Sequence, residues 1–199
     1  MSVREGRGFQ AGGNALFVAS QEGHAEIVLL LLQAPGYLDV NHRTKMGATA
    51  LAIASKQGHA KAVVLLLAAN ARINLATTEG MTPLMYAALN GRVEVVQILL
   101  AAGALVNQSA NDGMTALYMA SSEGFENTTR VLLLANANTS LCKNNGNSPL
   151  NAAAHNGHDG VVKLLISAGA DVNQSRHDGT TPISGASQYG HIACVRSLL

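Results

Sequence analysis

The sequence predicts an all-α solenoid built from repeated pairs of short helices. Three observations support this fold class. One glycine recurs along the chain, and its last four steps are each 33 residues while the first is 35; a fixed period of this size is typical of stacked repeats. A residue that can cap a helix stands two positions after each of these glycines, and an apolar helical pattern follows in every copy. The recurring glycines are Gly12, Gly47, Gly80, Gly113, Gly146 and Gly179.

The capping residue predicts where the first helix of each copy begins. Its side-chain oxygen accepts a hydrogen bond from an unpaired N–H group of the first turn, which stabilises a helix by about 1 kcal/mol. Proline follows the cap in three copies, at the helical position that tolerates its missing N–H. The helix is rich in small residues, and a glycine ends it. The caps are Asn14, Thr49, Thr82, Thr115, Ser148 and Thr181, and the ending glycines are Gly23, Gly58, Gly91, Gly124, Gly157 and Gly190.

The second helix of each copy carries the predicted hydrophobic face, which Val95, Leu99 and Leu100 show most fully. Its end falls on a glycine in the third and fifth copies but on an asparagine in the second and fourth. Asparagine is the next best residue for a left-handed helix end, so this exception supports the alignment of the copies. The four ending residues are Asn70, Gly103, Asn136 and Gly169.

The third copy carries the motif that indicates a family. It reads Thr82-Pro83-Leu84, Ala87-Ala88, Gly91, Val95-Val96, Leu99-Leu100, Gly103-Ala104 and Val106-Asn107. This motif resembles the ankyrin repeat, in which a β-turn finger precedes two antiparallel helices. The resemblance implies a flexible lead-in over residues 1–11 and an array over 12–199, with five full repeats and a truncated sixth. The repeats lie near 12–46, 47–79, 80–112, 113–145, 146–178 and 179–199, and two extra residues around Pro35-Gly36 lengthen a surface loop of the first.

Composition argues against several function classes. The formal net charge is +1 and only 13% of residues are charged, so no basic stripe is available for nucleic acid. No apolar run reaches the roughly 20 residues that cross a bilayer, and the first ten residues lack the apolar middle of a signal peptide. Cys142 and Cys194 form no disulfide framework. We therefore expect a monomeric array in an intracellular, cytoplasmic compartment, with the nucleus left open.

The histidines do not predict an active site. Four of the seven follow a helix-ending glycine at the repeat period, so they do not converge, and the resemblance implies that each Gly-His pair positions the turn between the two helices. None of His42, His155 and His177 has the spacing of a zinc site. No nucleophile–base pair is visible either. The sequence predicts no catalytic, cofactor-binding or metal-binding residues, and hence no enzyme.

The resemblance implies a binding surface instead. In ankyrin arrays the fingertips and the exposed ends of the first helices line a concave groove that holds a partner protein. These positions differ between copies while the scaffold residues recur, which favours recognition, although unconstrained solvent positions vary in the same way. Met46, Leu89 and Tyr189 are the expected anchors, because large apolar and aromatic side chains dominate binding hot spots. The candidates are Lys45, Met46, Thr78, Glu79, Asn111, Asp112, Asn144, Asn145, His177 and Asp178 on the fingers, and Leu89, Asn90, Glu123, His155 and Tyr189 on the helix ends.

Two apolar residues depart from the regular pattern of the array. The outward position of the second helix is Leu29 and then Val64 in the first two copies, but polar or charged in the last four. Single exposed aliphatic residues are common, so this exposure can be incidental. The alternative is a patch that is covered by an N-terminal segment or a partner.

Two further alternatives concern function. The chain stops within a second helix and lacks the polar cap of a solenoid end, which favours a fragment of a longer array. It could then be the substrate-targeting arm of a larger enzyme or effector. Asn173 also resembles the target of an asparaginyl hydroxylase, because Asp171-Val172 precedes it and Leu165 lies eight residues before it. The structural role of that asparagine in the finger is the competing explanation.

Overall fold

The computed structural model describes residues 14–34 and 39–199, which form twelve helices and contain no β-strand. First and second helices alternate in six pairs. The first helices are α1 (Ala15–Glu22), α3 (Ala50–Gln57), α5 (Pro83–Leu89), α7 (Ala116–Ser122), α9 (Pro149–His155) and α11 (Pro182–Gln188). The second helices are α2 (Ala25–Gln33), α4 (Ala60–Ala68), α6 (Val93–Ala101), α8 (Glu126–Leu134), α10 (Asp159–Ser167) and α12 (Ile192–Leu198).

The helix pairs stack side by side in two layers. Each first helix contacts its own second helix and the first helices of the neighbouring pairs, while the second helices contact one another in the same order. This is the repeat solenoid that the sequence predicts. The lead-in over residues 1–11, the opening Gly12 and the loop at Pro35-Gly36 lie outside the described residues. None of the helices described is long and apolar enough to span a membrane.

All six predicted capping residues cap their helices. Each side chain accepts a hydrogen bond from the backbone N–H three residues later, as Thr115 Oγ1 does from Tyr118 N at 3.2 Å. The predicted helix starts are therefore confirmed. The six caps are Asn14, Thr49, Thr82, Thr115, Ser148 and Thr181.

The left-handed ends of the second helices are confirmed as well. Asn70 has a φ of 62° and Asn136 a φ of 61°, and they are the only non-glycine residues with positive φ in the described part of the chain. Gly103 and Gly169 adopt the same backbone conformation in their repeats. The repeat pattern thus fixes the backbone at this position, and asparagine adopts it where glycine is missing.

One continuous hydrophobic core connects the repeats, extending from Leu16 to Cys194. The second helices α4, α6, α8 and α10 each contribute a leucine whose side chain is fully buried. These leucines are Leu66, Leu99, Leu132 and Leu165. Because each repeat buries its apolar face only against its neighbours, stability depends on the contacts between adjacent repeats.

Three histidines connect neighbouring repeats. The Nε2 atoms of His59, His158 and His191 each lie 3.0 Å from a backbone carbonyl oxygen at the end of the preceding first helix. Since a carbonyl oxygen only accepts, each Nε2 carries the proton and donates it. The predicted structural role is correct, but the hydrogen bond reaches the preceding repeat and does not stay within the turn of its own repeat.

The histidine ring also requires the glycine that ends the preceding first helix. Gly124 has a φ of +77°, and a Cβ atom there would lie 2.5 Å from Nδ1 of His158. Arg92 takes the place of histidine in the third repeat, where its Nε donates to the Lys56 carbonyl at 3.2 Å. In the fourth repeat the ring of Phe125 lies over Gly91. The space left by the missing Cβ therefore accommodates histidine, arginine or phenylalanine at the same position of different repeats.

The fourth repeat has a polar defect in its core. Thr128 and Thr129 are fully buried in α8, and neither hydroxyl has a hydrogen-bond partner in the described structure. The corresponding residues of the third and fifth repeats are valines, Val95-Val96 and Val161-Val162. A buried hydroxyl without a partner costs about 1–3 kcal/mol.

Replacing Thr129 by valine is therefore expected to stabilise the array. Valine has the same shape and removes the unpaired hydroxyl, so the free energy of unfolding in urea should rise by about 1 kcal/mol. Thr139→Val, a half-buried site in the loop after α8, serves as the control and should have little effect. A lower stability for Thr129→Val would show that the hydroxyl has a partner in solution.

Replacing Gly124 by alanine should destabilise the array more than replacing Gly169. Both residues have positive φ, so alanine costs about 1–2 kcal/mol at either site. Only at Gly124 must the histidine ring also move, since no atom lies within 4 Å of a Cβ built at Gly169. We expect an additional loss of about 1 kcal/mol for Gly124→Ala in urea unfolding, from the broken hydrogen bond. The difference should vanish when His158→Ala is also present; a difference that persists would contradict the proposed contact.

Candidate functional site

Five fingers precede helices α3, α5, α7, α9 and α11. The first is a tight turn in which Gly47 N donates to Thr44 O at 2.8 Å and Thr44 N donates to Ala48 O at 2.9 Å. The same two hydrogen bonds recur in the other four fingers. Each turn glycine has positive φ, so the finger geometry repeats with the sequence period.

Backbone hydrogen bonds join the fingertips into one row. The first tip residue of each finger donates its N–H to the carbonyl of the second tip residue of the preceding finger, at 2.8–3.1 Å. The four donors are Thr78, Asn111, Asn144 and His177, and their acceptors are Met46, Glu79, Asp112 and Asn145. The positions predicted to contact a partner thus also hold the fingers together.

The side chains of three first tip residues strengthen this row. Thr78 Oγ1 donates to the Met46 carbonyl at 3.1 Å, and Asn111 Nδ2 donates to the Thr78 carbonyl at 2.9 Å. Asn144 Nδ2 donates to the Asn111 carbonyl at 3.1 Å. These three candidates have a structural role that the sequence analysis did not assign.

The second tip residue stabilises its own turn in the last three fingers. One side-chain oxygen of Asp112, Asn145 and Asp178 accepts the N–H two residues later, at 2.9–3.1 Å. The N–H of Thr180 holds the pKa of Asp178 below its usual value. Asp112 also lies 3.4 Å from Lys143 Nζ. The carboxylates of Asp112 and Asp178 therefore already accept hydrogen bonds within their own fingers, which leaves fewer of their lone pairs for a partner.

Most predicted contact residues are exposed. Met46 is 45% exposed and Tyr189 54%, so both expected anchors offer apolar area to a partner. Leu89 is half-buried and packs against the core, which leaves less of its surface for binding. The other exposed candidates are Lys45, Thr78, Glu79, Asn111, Glu123, Asn144, Asn145, His177 and Asp178, and the half-buried ones are Asn90, Asp112 and His155.

The helix-end candidates have contacts of their own. Asn90 Nδ2 donates to the Tyr86 carbonyl at 2.8 Å and so caps α5. The rings of His155 and Tyr189 meet edge to face with centroids 4.4 Å apart, and Tyr189 stacks on His191 at 6.3 Å. The two imidazole rings thus pack against Tyr189 at the surface between the fifth and sixth repeats.

A tyrosine that the sequence analysis did not single out connects a helix to a finger. Tyr118 of α7 is only 7% exposed, and its hydroxyl accepts a hydrogen bond from Asn147 Nδ2 in the next finger at 2.9 Å. Burial raises the pKa of this hydroxyl. The sequence signal was a tyrosine at a helix position where the other repeats have phenylalanine, alanine, methionine, asparagine or serine. The row of first helices and the row of fingers are thus linked at their base.

An asparagine that recurs in the loop after the second helix also connects repeats. Asn41, Asn74 and Asn107 accept the N–H of Arg72, Leu105 and Asn138 through their Oδ1 atoms, at 2.7–3.0 Å. Serine occupies this position in the fourth repeat. Asn173 is exposed, and its side chain forms no hydrogen bond within the described residues. Its hydroxylation stays a prediction.

Neither metal ligands nor reactive thiols are brought together. Within residues 14–34 and 39–199, no group of three or more histidine, cysteine or acidic side chains could hold a metal ion. Cys194 is buried and Cys142 half-buried, and both are free thiols. Burial raises the pKa of both, which disfavours the reactive thiolate.

Comparison with known families agrees with this geometry. The family model for ankyrin repeats matches three overlapping stretches, residues 3–77, 65–140 and 128–199. The chain belongs to the ankyrin-repeat family. Ankyrin repeats are in general protein–protein interaction modules without catalytic activity. A search of curated proteins found no match for this chain.

Asn107→Ala should destabilise this ankyrin array, whereas Asn173→Ala should not. The first change removes the acceptor of the Asn138 N–H, which costs about 1 kcal/mol. The second removes an exposed side chain whose effect should stay within about 0.5 kcal/mol. Urea unfolding followed by circular dichroism measures both. Equal losses would mean that the asparagines stabilise their own loops and not the contact between repeats.

Proposed function

We propose that this ankyrin array is a non-catalytic interaction module that binds a partner protein in the groove between the finger row and the ends of the first helices. The observation that supports this most is the hydrogen-bonded row of fingertips. It fixes the backbone while the side chains of Lys45, Met46 and Glu79 stay exposed.

Rigidity supports the proposal on energetic grounds. A surface that is already ordered loses less conformational entropy on binding than a flexible one. Here the fingers are linked to one another through backbone hydrogen bonds and to the first helices through the Tyr118–Asn147 hydrogen bond. Partner affinity would then depend on the exposed side chains and not on ordering of the loops.

The surface divides into anchors and framework. Met46 and Tyr189 are exposed apolar side chains suited to fill pockets on a partner, and Glu79 forms no side-chain hydrogen bond or ion pair within the described residues. Thr78, Asn111 and Asn144 hold the row and are poor choices for testing recognition.

We further propose a reducing, cytoplasmic location, since both cysteines are free thiols.

The triple variant Met46→Ala, Glu79→Ala and Tyr189→Ala should lose the partner without losing the fold. The array, its variant and a control carrying Gln97→Ala and Arg130→Ala on the exposed face of the second helices would be used to capture proteins from the source cells. A partner held by the wild type and the control but reduced about tenfold or more by the triple variant is expected, because anchor residues carry most binding energy. Circular dichroism must show equal helix content for all three proteins.

Capture of every partner equally by the wild type and the triple variant would contradict the proposed groove. Loss of the partner with the control variant alone would place recognition on the second helices instead.

A further inference from the structure

The second helices carry a groove of their own at the N-terminal end of the array. A groove of about 410 Å³ crosses α2, α4 and α6 on the face opposite their contacts with the first helices. Its floor is apolar and includes Leu29, Val64, Leu65 and Ile98. Leu29 is 39% exposed and Val64 50%. Both line this groove, so the two residues singled out in the sequence belong to one surface.

The fold does not require an apolar surface here. The fifth position of the second helix is Leu29 and Val64 in the first two repeats, but Arg130, Lys163 and Arg196 in the last three. At the other end of the array, the equivalent cavity between α10 and α12 is lined by Asp159, Lys163, Arg196 and Ser197 as well as by apolar side chains. Lys163 Nζ and Ser197 Oγ there both lie 2.6 Å from carboxylate oxygens of Asp159.

A row of alternating charges borders the apolar floor. The second position of the second helix is Glu26, then Lys61, then Glu94 in the first three repeats, and all three side chains are exposed. They form no hydrogen bond or ion pair within the described residues. In the last three repeats the same position is uncharged: Asn127, Gly160 and Ala193. The charges thus occur in the same three repeats as the groove.

The spacing of this charge row selects a helix as its partner. Packed helices lie about 8–10 Å apart, so neighbouring charges of the row are separated by about that distance. An α-helix rises 1.5 Å per residue, so about seven residues, or two turns, return a side chain to the same face over that distance. An extended strand covers it in about three residues, which turns successive charges to opposite faces.

We infer that this groove binds an amphipathic helix of a partner protein that has a basic residue at each end, an acidic residue midway, and apolar side chains between them. The basic residues would face Glu26 and Glu94, the acidic residue would face Lys61, and the apolar ridge would cover Leu29 and Val64. The site is separate from the fingertip groove, and the array can hold both partners at once.

A peptide of about 18 residues tests the inference directly, as this length spans all three helices. It carries lysine, glutamate and lysine at seven-residue intervals with leucines on the same face, and a fluorescent label reports its binding to the full chain by anisotropy. A second peptide has the charges reversed. The first peptide should bind about tenfold more tightly than the second, and the variant Glu26→Lys, Lys61→Glu and Glu94→Lys should invert this preference.

Val64→Lys copies the residue found at Lys163, so the fold should tolerate it. It should weaken binding of the first peptide by about tenfold or more, because a charge replaces the apolar floor. Arg130→Gln changes the same helix position outside the groove and should leave the affinity unchanged. Circular dichroism confirms that both variants fold.

Several results would overturn the inference. The first is that the first peptide shows no saturable binding to the wild type. The others are that it binds the wild type and Val64→Lys with equal affinity, or that the wild type binds both peptides with equal affinity. Self-association of the wild type that Val64→Lys abolishes in sedimentation would make a second copy the occupant. Displacement of the labelled peptide by a synthetic peptide of residues 1–13 would make this chain's own segment the occupant.

Discussion

The array depends on one recurring constraint: the end of each first helix must present a bare glycine to the next repeat. The glycine adopts positive φ to end the helix. Because it has no Cβ, it leaves room for a side chain of the following repeat, which is histidine, arginine or phenylalanine. That side chain then hydrogen-bonds the freed carbonyl where it is histidine or arginine. Helix termination and repeat stacking therefore depend on the same glycine.

Much of this fold could be predicted because it repeats. A cap such as Thr82 or a left-handed Asn70 acts within a few residues of its own position, so local sequence reveals it. The contact between His158 and Ser122 could not be read in this way, since it joins residues 36 apart whose closeness depends on stacking. The sequence therefore predicted a structural role for these histidines but not the carbonyl of the preceding repeat that each of them contacts.

The positions of the fingertips could be predicted, but the roles of their residues could not. Counting from the turn glycines located the fingertips, yet Thr78 and Glu79 look equally polar in the sequence. Only the structure shows that Thr78 holds the preceding finger while Glu79 remains available. The fingertip face and the face formed by the second helices also differ in how their side chains are arranged. Exposed side chains at the fingertips alternate with framework residues, whereas the groove over α2, α4 and α6 combines an apolar floor with unpaired charges.

Site-specific photocrosslinking tests the central claim, recognition through the finger row, most directly. A photoreactive amino acid would replace Glu79 on a fingertip or, in a second protein, Arg130 on the exposed side of α8, and each array would be irradiated with its captured partner. The account predicts a covalent adduct from position 79 and none from position 130. An adduct from position 130 alone would contradict it and place the partner on the second helices.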